Sequence, residues 1–267
     1  MDLNPKISII TVVRNGEQYI EHTISSIISQ TYANIEYIII DGKSTDNTTD
    51  IIKKFSGHLA YWVSEPDKGI YDAMNKGVAA ATGDWIIFIN ADDFLISETA
   101  ISEAVPYLAK TNALIVYGQV RVVYPIGDEM IVGSEWEKSK FRFRNVAMCF
   151  PHQATFHSKT LFEDESFDIS FKIAGDYDFL LRHLRDHDAE FVPVLIAKMR
   201  AGGISHSASK IALLKDTRKA QIKNKIYKSI PPLAWHISAI KLILTNTLIR
   251  VVGINGKDRL KKLVGKN

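Results

Sequence analysis

Short apolar runs alternate with amphipathic stretches through the first hundred residues. Residues 7–13 are rich in β-branched side chains and stop at the turn signal Arg14-Asn15-Gly16, which predicts a buried strand. Over residues 19–30, Ile20, Ile24, Ile27 and Ile28 fall on one helical face. Residues 37–40 predict a second buried strand, closed by Asp41-Gly42. Residues 45–55 open with small polar residues suited to an N-cap and continue as a helix. A third strand is expected at 59–63, a helix at 71–81 stopping at Thr82-Gly83, and the most apolar strand at 85–89. This alternation predicts an α/β fold with a mostly parallel sheet and helices on both faces. Ligands of such sheets sit at the carboxyl ends of the strands.

Beyond residue 99 the pattern loosens. It predicts a helix at 101–108, a strand at 114–117, strands within 120–136 around Gly127-Asp128, a helix at 179–184 and a strand at 190–195. A basic helix at 209–228 is broken by Pro231-Pro232 and followed by a helical stretch at 233–252. The 267 residues, 46% hydrophobic, suit a body at 1–208 with a basic helical extension at 209–267. A net charge of +3 is too small to imply a nucleic-acid partner.

The stretch 233–252 contains His236, Lys241 and Arg250. Each central Lys or Arg opposes membrane insertion by about 2.5–3.5 kcal/mol, so a span is not expected. An interfacial helix on an anionic membrane surface fits, and so does a helix packed on the body, in a homodimer. The sequence leaves both open. The single cysteine, Cys149, excludes an intramolecular disulfide and suits packing in a reducing compartment. The first residues lack a basic segment followed by a long apolar one. A cytoplasmic location is expected, peripheral on the inner face of the membrane if the extension docks there.

Candidate chemistry centres on Asn90-Ala91-Asp92-Asp93, directly after the apolar strand. Two adjacent carboxylates at a buried strand end are costly without a cation. Oxygen ligands suit Mg2+ or Mn2+, and two carboxylates leave coordination positions for a diphosphate. The same pair suits a solvated turn capping the next helix, and taken alone it does not choose.

Residues 7–15, 38–46, 65–77 and 90–93 together resemble the large inverting family-two glycosyltransferases, which have the GT-A fold. The stretch from Ser64-Glu65-Pro66-Asp67-Lys68-Gly69 to Asn75-Lys76-Gly77 is similar to the bacterial branch that builds exopolysaccharides, capsules and O-antigens. The similarity covers about residues 5–205, in the family's order and spacing. It implies transfer from a nucleotide sugar, a UDP-sugar first, to a growing cell-surface glycan, which is lipid-linked if the extension docks at a membrane. It also implies a metal motif at Asn90–Asp93, with Asp92 and Asp93 as the matching acids and Asn90 where the family has another acid. In the family, the residue matching Asp41 contacts the nucleoside; Gly42 stands where a second acid is frequent. An aspartate in the segment matching Asp67 helps hold the donor. The family's Glu-Asp pair, whose second member is the base, falls on Gly175-Asp176, so Asp176 is the expected base.

The remaining candidates come from the residues themselves. Thr11, Val12 and Arg14 end the first strand beside the expected nucleotide. Lys68 can meet phosphate, Asp72 can face the site, and Asp46 reads as a capping residue. Asp176 and Asp178 lie two apart on a helix, so only one is expected to face the site. His152 and Gln153 are candidates for the acceptor or sugar side, with a structural histidine as the alternative. Arg200 and His206 flank a glycine turn that either closes over the diphosphate or is a plain loop; His206 is also a candidate metal ligand. Two rival functions remain, a sugar nucleotidyltransferase and a nucleotide-sugar-binding regulator without turnover. The first wants a glycine-rich phosphate loop, and Arg14-Asn15-Gly16 has a single glycine.

Overall fold

β1 (Ile7–Val13) is buried along its whole length because it has neighbours on both edges and helices on both faces. It pairs in parallel with β2 (Ile35–Asp41) and β4 (Trp85–Phe88), and β3 (Tyr61–Ser64) extends the sheet beyond β2. The computed structural model describes residues 4–124, 127–200, 210–227 and 230–244. The helices joining these strands are α1 (Ile20–Ile28), α2 (Thr48–Lys54) and α3 (Ile70–Ala80). The α/β class and the parallel sheet agree with the sequence pattern.

The strands that follow are β5 (Phe94–Leu95), β6 (Ile115–Val123), β7 (Glu129–Val132), β8 (Thr155–Ser158) and β9 (Glu190–Arg200). The sheet order is β3-β2-β1-β4-β8-β6-β9-β5, with β7 also on β6. β8 is antiparallel to both β4 and β6, while β6 and β9 are parallel. The helices are α4 (Ala100–Leu108), α5 (Trp136–Asn145), α6 (Gly175–Leu184), α7 (Lys210–Lys223) and α8 (residues 233–244).

Alternation along β1 divides the core. Ile7, Ile9 and Val13 pack with α1 and α4, whereas Ile10 and Val12 pack with α3 and α6. The chain passes from β1 to β2 and β3 on one side, then returns to place β4 on the other. That reversal opens a crevice beyond the carboxyl ends of β1 and β4.

Three elements depart from the sequence reading. Strands were expected up to residue 136, yet α5 begins there, burying Trp136, Ser139 and Phe143 on one face. Its ten residues are otherwise polar, so the apolar periodicity is thin. β8 is four residues long and carries His157 in its interior, too short a run to show a period. Helix α6 starts at Gly175, four residues before the apolar run that predicts it.

Part of the basic extension is continuous with the core. α7 buries Ala220, Gln221 and Asn224 against the body. Its Asp216 accepts hydrogen bonds from Lys172 N (3.1 Å) and Ile173 N (2.9 Å), just ahead of α6. Lys223 Nζ and Asn224 Nδ2 donate to the buried Asp178 carboxylate at 3.0 and 2.9 Å.

Candidate active site

A cavity of about 660 Å3 occupies the crevice. Val12, Arg14, Asn90–Asp93, His152, Gln153, Asp176 and Arg200 all line it, although they come from five separate stretches of chain. Backbone geometry explains the position of the acidic segment. β4 ends at Phe88 on the sheet's central ladder, and Thr23 Oγ1 of α1 donates to Ala91 O (2.9 Å) and Asp93 O (2.8 Å). The loop is thereby held across the mouth of the β1–β4 crevice.

The two aspartates have different surroundings. Asp93 is only 2% exposed. Gln153 Nε2 donates to its Oδ2 at 2.9 Å, and Arg200 N to its Oδ1 at 3.3 Å. Asn90 Nδ2 lies at 3.5 Å from Oδ2. Burial first, and then the neighbouring Asp92 charge, push the Asp93 carboxyl up to about 7. These bonds all serve Asp93; among the described residues none engages the Asp92 side chain, which is half-buried on the cavity wall. Asn90 Oδ1 is buried without a partner. A free carboxylate beside an orphaned amide oxygen is a hard oxygen donor set and fits a divalent ion. Among the described residues no three His, Cys, Asp or Glu side chains are arranged to hold a metal ion, so an ion here would draw most of its ligands from a bound diphosphate or water.

Asp176 lies in the first turn of α6 with its carboxylate on the cavity. Its Oδ1 accepts from Tyr177 N (2.8 Å) and from Tyr71 Oη of α3 (3.3 Å). Burial raises its pKa, and these two hydrogen bonds oppose the rise. Tyr71 Oη also donates to Ile173 O at 2.7 Å. Its ring packs so closely on α6 that a Cβ at Gly175 would lie 2.7–2.8 Å from it. Gly175 thus leaves the space that the Tyr71 ring occupies. Asp178 faces the other way, fully buried against Lys223 and Asn224.

The expected nucleotide residues form a neighbouring group. Asp41 is fully buried; its carboxylate accepts from Ser44 N (3.0 Å), Ser44 Oγ and Ser64 Oγ (2.5 Å). A Cβ on Gly42 would collide with the Asp67 carboxylate and lie 3.5 Å from Arg14 Cβ. Arg14, Asp41 and Asp67 therefore converge at the ends of β1, β2 and β3. Asp67 Oδ1 also accepts from Gly69 N at 2.9 Å. Asp72 accepts from Lys68 N at 2.9 Å and, with Asn75, borders a second hollow instead of the cavity. Thr11 Oγ1 donates to Ile89 O at 2.8 Å and bridges β1 to the end of β4. Asp46 accepts from Thr48 N and Glu17 N (both 3.1 Å), a turn role.

His152 lines the cavity, stacks on Phe88 with centroids 5.1 Å apart, and leaves both ring nitrogens unpartnered. Burial pushes its pKa down to about 4, so the ring is neutral at pH 7. The Arg200 guanidinium sits 3.9 Å from the Tyr19 ring centroid, and both residues line the cavity. His206 lies outside the described residues. Cys149 is half-buried away from the cavity, and burial pushes its thiol up to about 11, as suits a packing residue.

The family model described as Glycosyl transferase family 2 matches residues 8–169, more than half of the chain. The chain belongs to glycosyltransferase family 2. An uncharacterized glycosyltransferase of Mycobacterium tuberculosis is 29% identical over 222 residues, covering 80% of this chain and 82% of the relative. A PGL/p-HBAD biosynthesis glycosyltransferase of Mycobacterium bovis is 30% identical over 184 residues, covering 67% and 69%. Among solved structures, S. aureus TarS 1–349 in complex with UDP-GlcNAc superposes with a TM-score of 0.67 at 16% identity, over 90% of this chain and 72% of that one. The mannosyltransferase PcManGT from Pyrobaculum calidifontis, in complex with GDP-Man and Mn2+, gives 0.63 at 17% identity, over 99% and 76%. At such identities the structures show the shared GT-A fold.

Several cavity residues of this family 2 glycosyltransferase escape a sequence reading. Tyr71 sits inside the quoted 64–77 stretch, but only its contact with Gly175 reveals a task. Lys172 and Ile173 line the cavity from an irregular segment with no local signal. Val122, Tyr124, Met130 and Val132 wall it from β6, β7 and the turn between them.

Proposed function

We propose that this enzyme moves a hexosyl unit from a nucleotide sugar, a UDP-sugar first, to a hydroxyl of a growing, lipid-linked cell-surface glycan, with inversion. The observation that carries this reading is the convergence of Asp92, Asp176 and Arg200 on one cavity at the β1–β4 strand ends. TarS, a structural neighbour, is complexed with UDP-GlcNAc, which supports the donor class. Arg14 and Asp67 meet the nucleoside, with Asp41 buried behind them bracing Ser44 and Ser64, Val12 on the floor and Lys68 at the margin. Asn90, Ala91 and Asp92 face the diphosphate. Asp92 and the Asn90 amide oxygen would hold Mg2+ or Mn2+, which neutralises charge on the leaving diphosphate. Asp93, buried and hydrogen-bonded to Gln153 and Arg200, stands behind Asp92, which favours Asp92 over Asp93 as the ligating carboxylate.

Asp176 takes the proton from the acceptor hydroxyl as that oxygen bonds to the anomeric carbon. The bond from the anomeric carbon to the phosphate oxygen breaks, and the nucleoside diphosphate leaves on the opposite side. His152, neutral and unpaired, and Gln153 meet the sugar or acceptor; Arg200 closes over the diphosphate. The open Asp92 and Asp176 carboxylates speak against a regulator without turnover. The test is a panel of UDP- and GDP-sugars with Mn2+, reading release of nucleoside diphosphate. Turnover of one donor that needs the metal is expected; no turnover with any donor and acceptor favours the regulator.

Tyr71 is a positioning residue in this scheme. Its hydroxyl favours the ionised form of Asp176. The base must be ionised to act, so activity rises as pH climbs through its pKa. Tyr71→Phe moves that acid limb to higher pH and lowers the plateau kcat by about tenfold, the scale of one hydrogen bond. An unshifted limb in the pH profile of kcat would reduce Tyr71 to a packing residue.

A further inference from the structure

Helix α8 leaves a stripe of large apolar side chains in solvent. Leu233, Ile237, Ile240 and Leu244 are 74, 58, 57 and 64% exposed. Their 4-3-4 spacing puts them on one face. Ile230, just ahead of Pro231-Pro232, is 78% exposed and adds to the same end. Ala239, on the other side of the helix, is buried. A folded chain seldom leaves such a continuous apolar surface uncovered. α7 differs, since its Ala220, Gln221 and Asn224 are buried against the body.

The charge of this region selects the occupant. Residues 210–267 hold fourteen Lys and Arg against two Asp and no Glu. The whole chain is only +3, so the remainder is net negative. A second copy of α8 would bring two strongly basic segments together, which like charges oppose. An anionic lipid surface offers the complementary charge and an apolar layer for the stripe. The described helix, 12 residues long, measures about 18 Å at 1.5 Å per residue, well short of a bilayer core of about 30 Å. No described helix is long and apolar enough to cross a membrane.

We infer that α8 is an in-plane anchor that docks Leu233, Ile237, Ile240 and Leu244 into an anionic bilayer surface. This inference is independent of the donor and of Asp176, because docking needs no turnover.

The test is flotation of the full chain with phosphatidylcholine vesicles, with and without phosphatidylglycerol, at low and high salt. The chain should float with the phosphatidylglycerol vesicles, remain below with phosphatidylcholine alone, and release as salt rises. The double change Ile237→Asp/Ile240→Asp should cut the floated fraction about tenfold or more, since it removes apolar anchorage and adds like charge. Changing Lys257, Arg259, Lys261 and Lys262 to Ser should weaken flotation while leaving the stripe intact. Ile237 and Ile240 are exposed, and unchanged thermal unfolding of both variants verifies the fold. Absence of flotation overturns the inference, as does equal flotation with neutral vesicles. A dimer in light scattering that Ile237→Asp/Ile240→Asp dissociates would assign the stripe to a second copy instead.

Discussion

Asp176→Asn is expected to lower kcat by roughly 10²–10⁴-fold, the usual contribution of a positioned general base, while donor affinity stays nearly unchanged. The amide keeps the shape of the carboxylate and can still accept from Tyr177 N and Tyr71 Oη. It cannot take a proton from the acceptor hydroxyl. A loss confined to kcat identifies an interaction made in the transition state. Single-turnover rates and calorimetric titration of the donor separate the two quantities. Should donor binding fall as far as the rate, Asp176 is holding the donor and the assignment as base fails. Asp178→Asn offers a contrast on the same helix. Asp178 is buried against Lys223 and Asn224, so its loss should appear in thermal stability before it appears in kcat.

The second large effect belongs to Asp92→Ala. Removing the one open carboxylate of the pair is expected to reduce kcat/KM by about 10²–10³-fold, the scale of deleting one group that stabilises a developing charge. The same change should abolish the binding of Mn2+ in the presence of UDP, followed by the electron paramagnetic resonance of the free ion. Gln153→Ala removes a donor from Asp93, which stands behind the ligand Asp92, and should weaken metal binding by less than Asp92→Ala does. Mn2+ binding that survives Asp92→Ala unchanged would place the ion elsewhere. Equal effects of Asp92→Ala and Asp93→Ala on the isolated Mn2+–UDP complex would return Asp93 to the ligand set.

The acidic segment could be read from the chain because its signal is local. A fully buried strand followed at once by Asn90-Ala91-Asp92-Asp93 is visible as a run of apolar residues ending in acids. Asp176 was accessible for a similar reason, as an acid opening an apolar helix at a position the family resemblance marks. Two of the three departures from the pattern the resemblance implies, Gly42 and Gly175, were visible but had no explanation in the sequence. Gly42 is explained by the Asp67 carboxylate lying against it, and Gly175 by the ring of Tyr71. Each explanation joins residues far apart in the chain, and neither partner carries a local mark of the contact.

What the sequence determined by itself is the alternation of strands and helices, the parallel start of the sheet and the strand ends where acids stand. Those follow from hydrophobic periodicity and turn residues, which act over a few positions. Tertiary structure decided the rest. Strand order brought β4 beside β1 and laid Gln153 and the end of β9 against Asp93, so one aspartate is buried and bonded while its neighbour remains open. It also set α7 into the core and left the stripe of α8 in solvent. Both segments are basic and helical in sequence, and burial separates them because it depends on what the fold puts opposite each face.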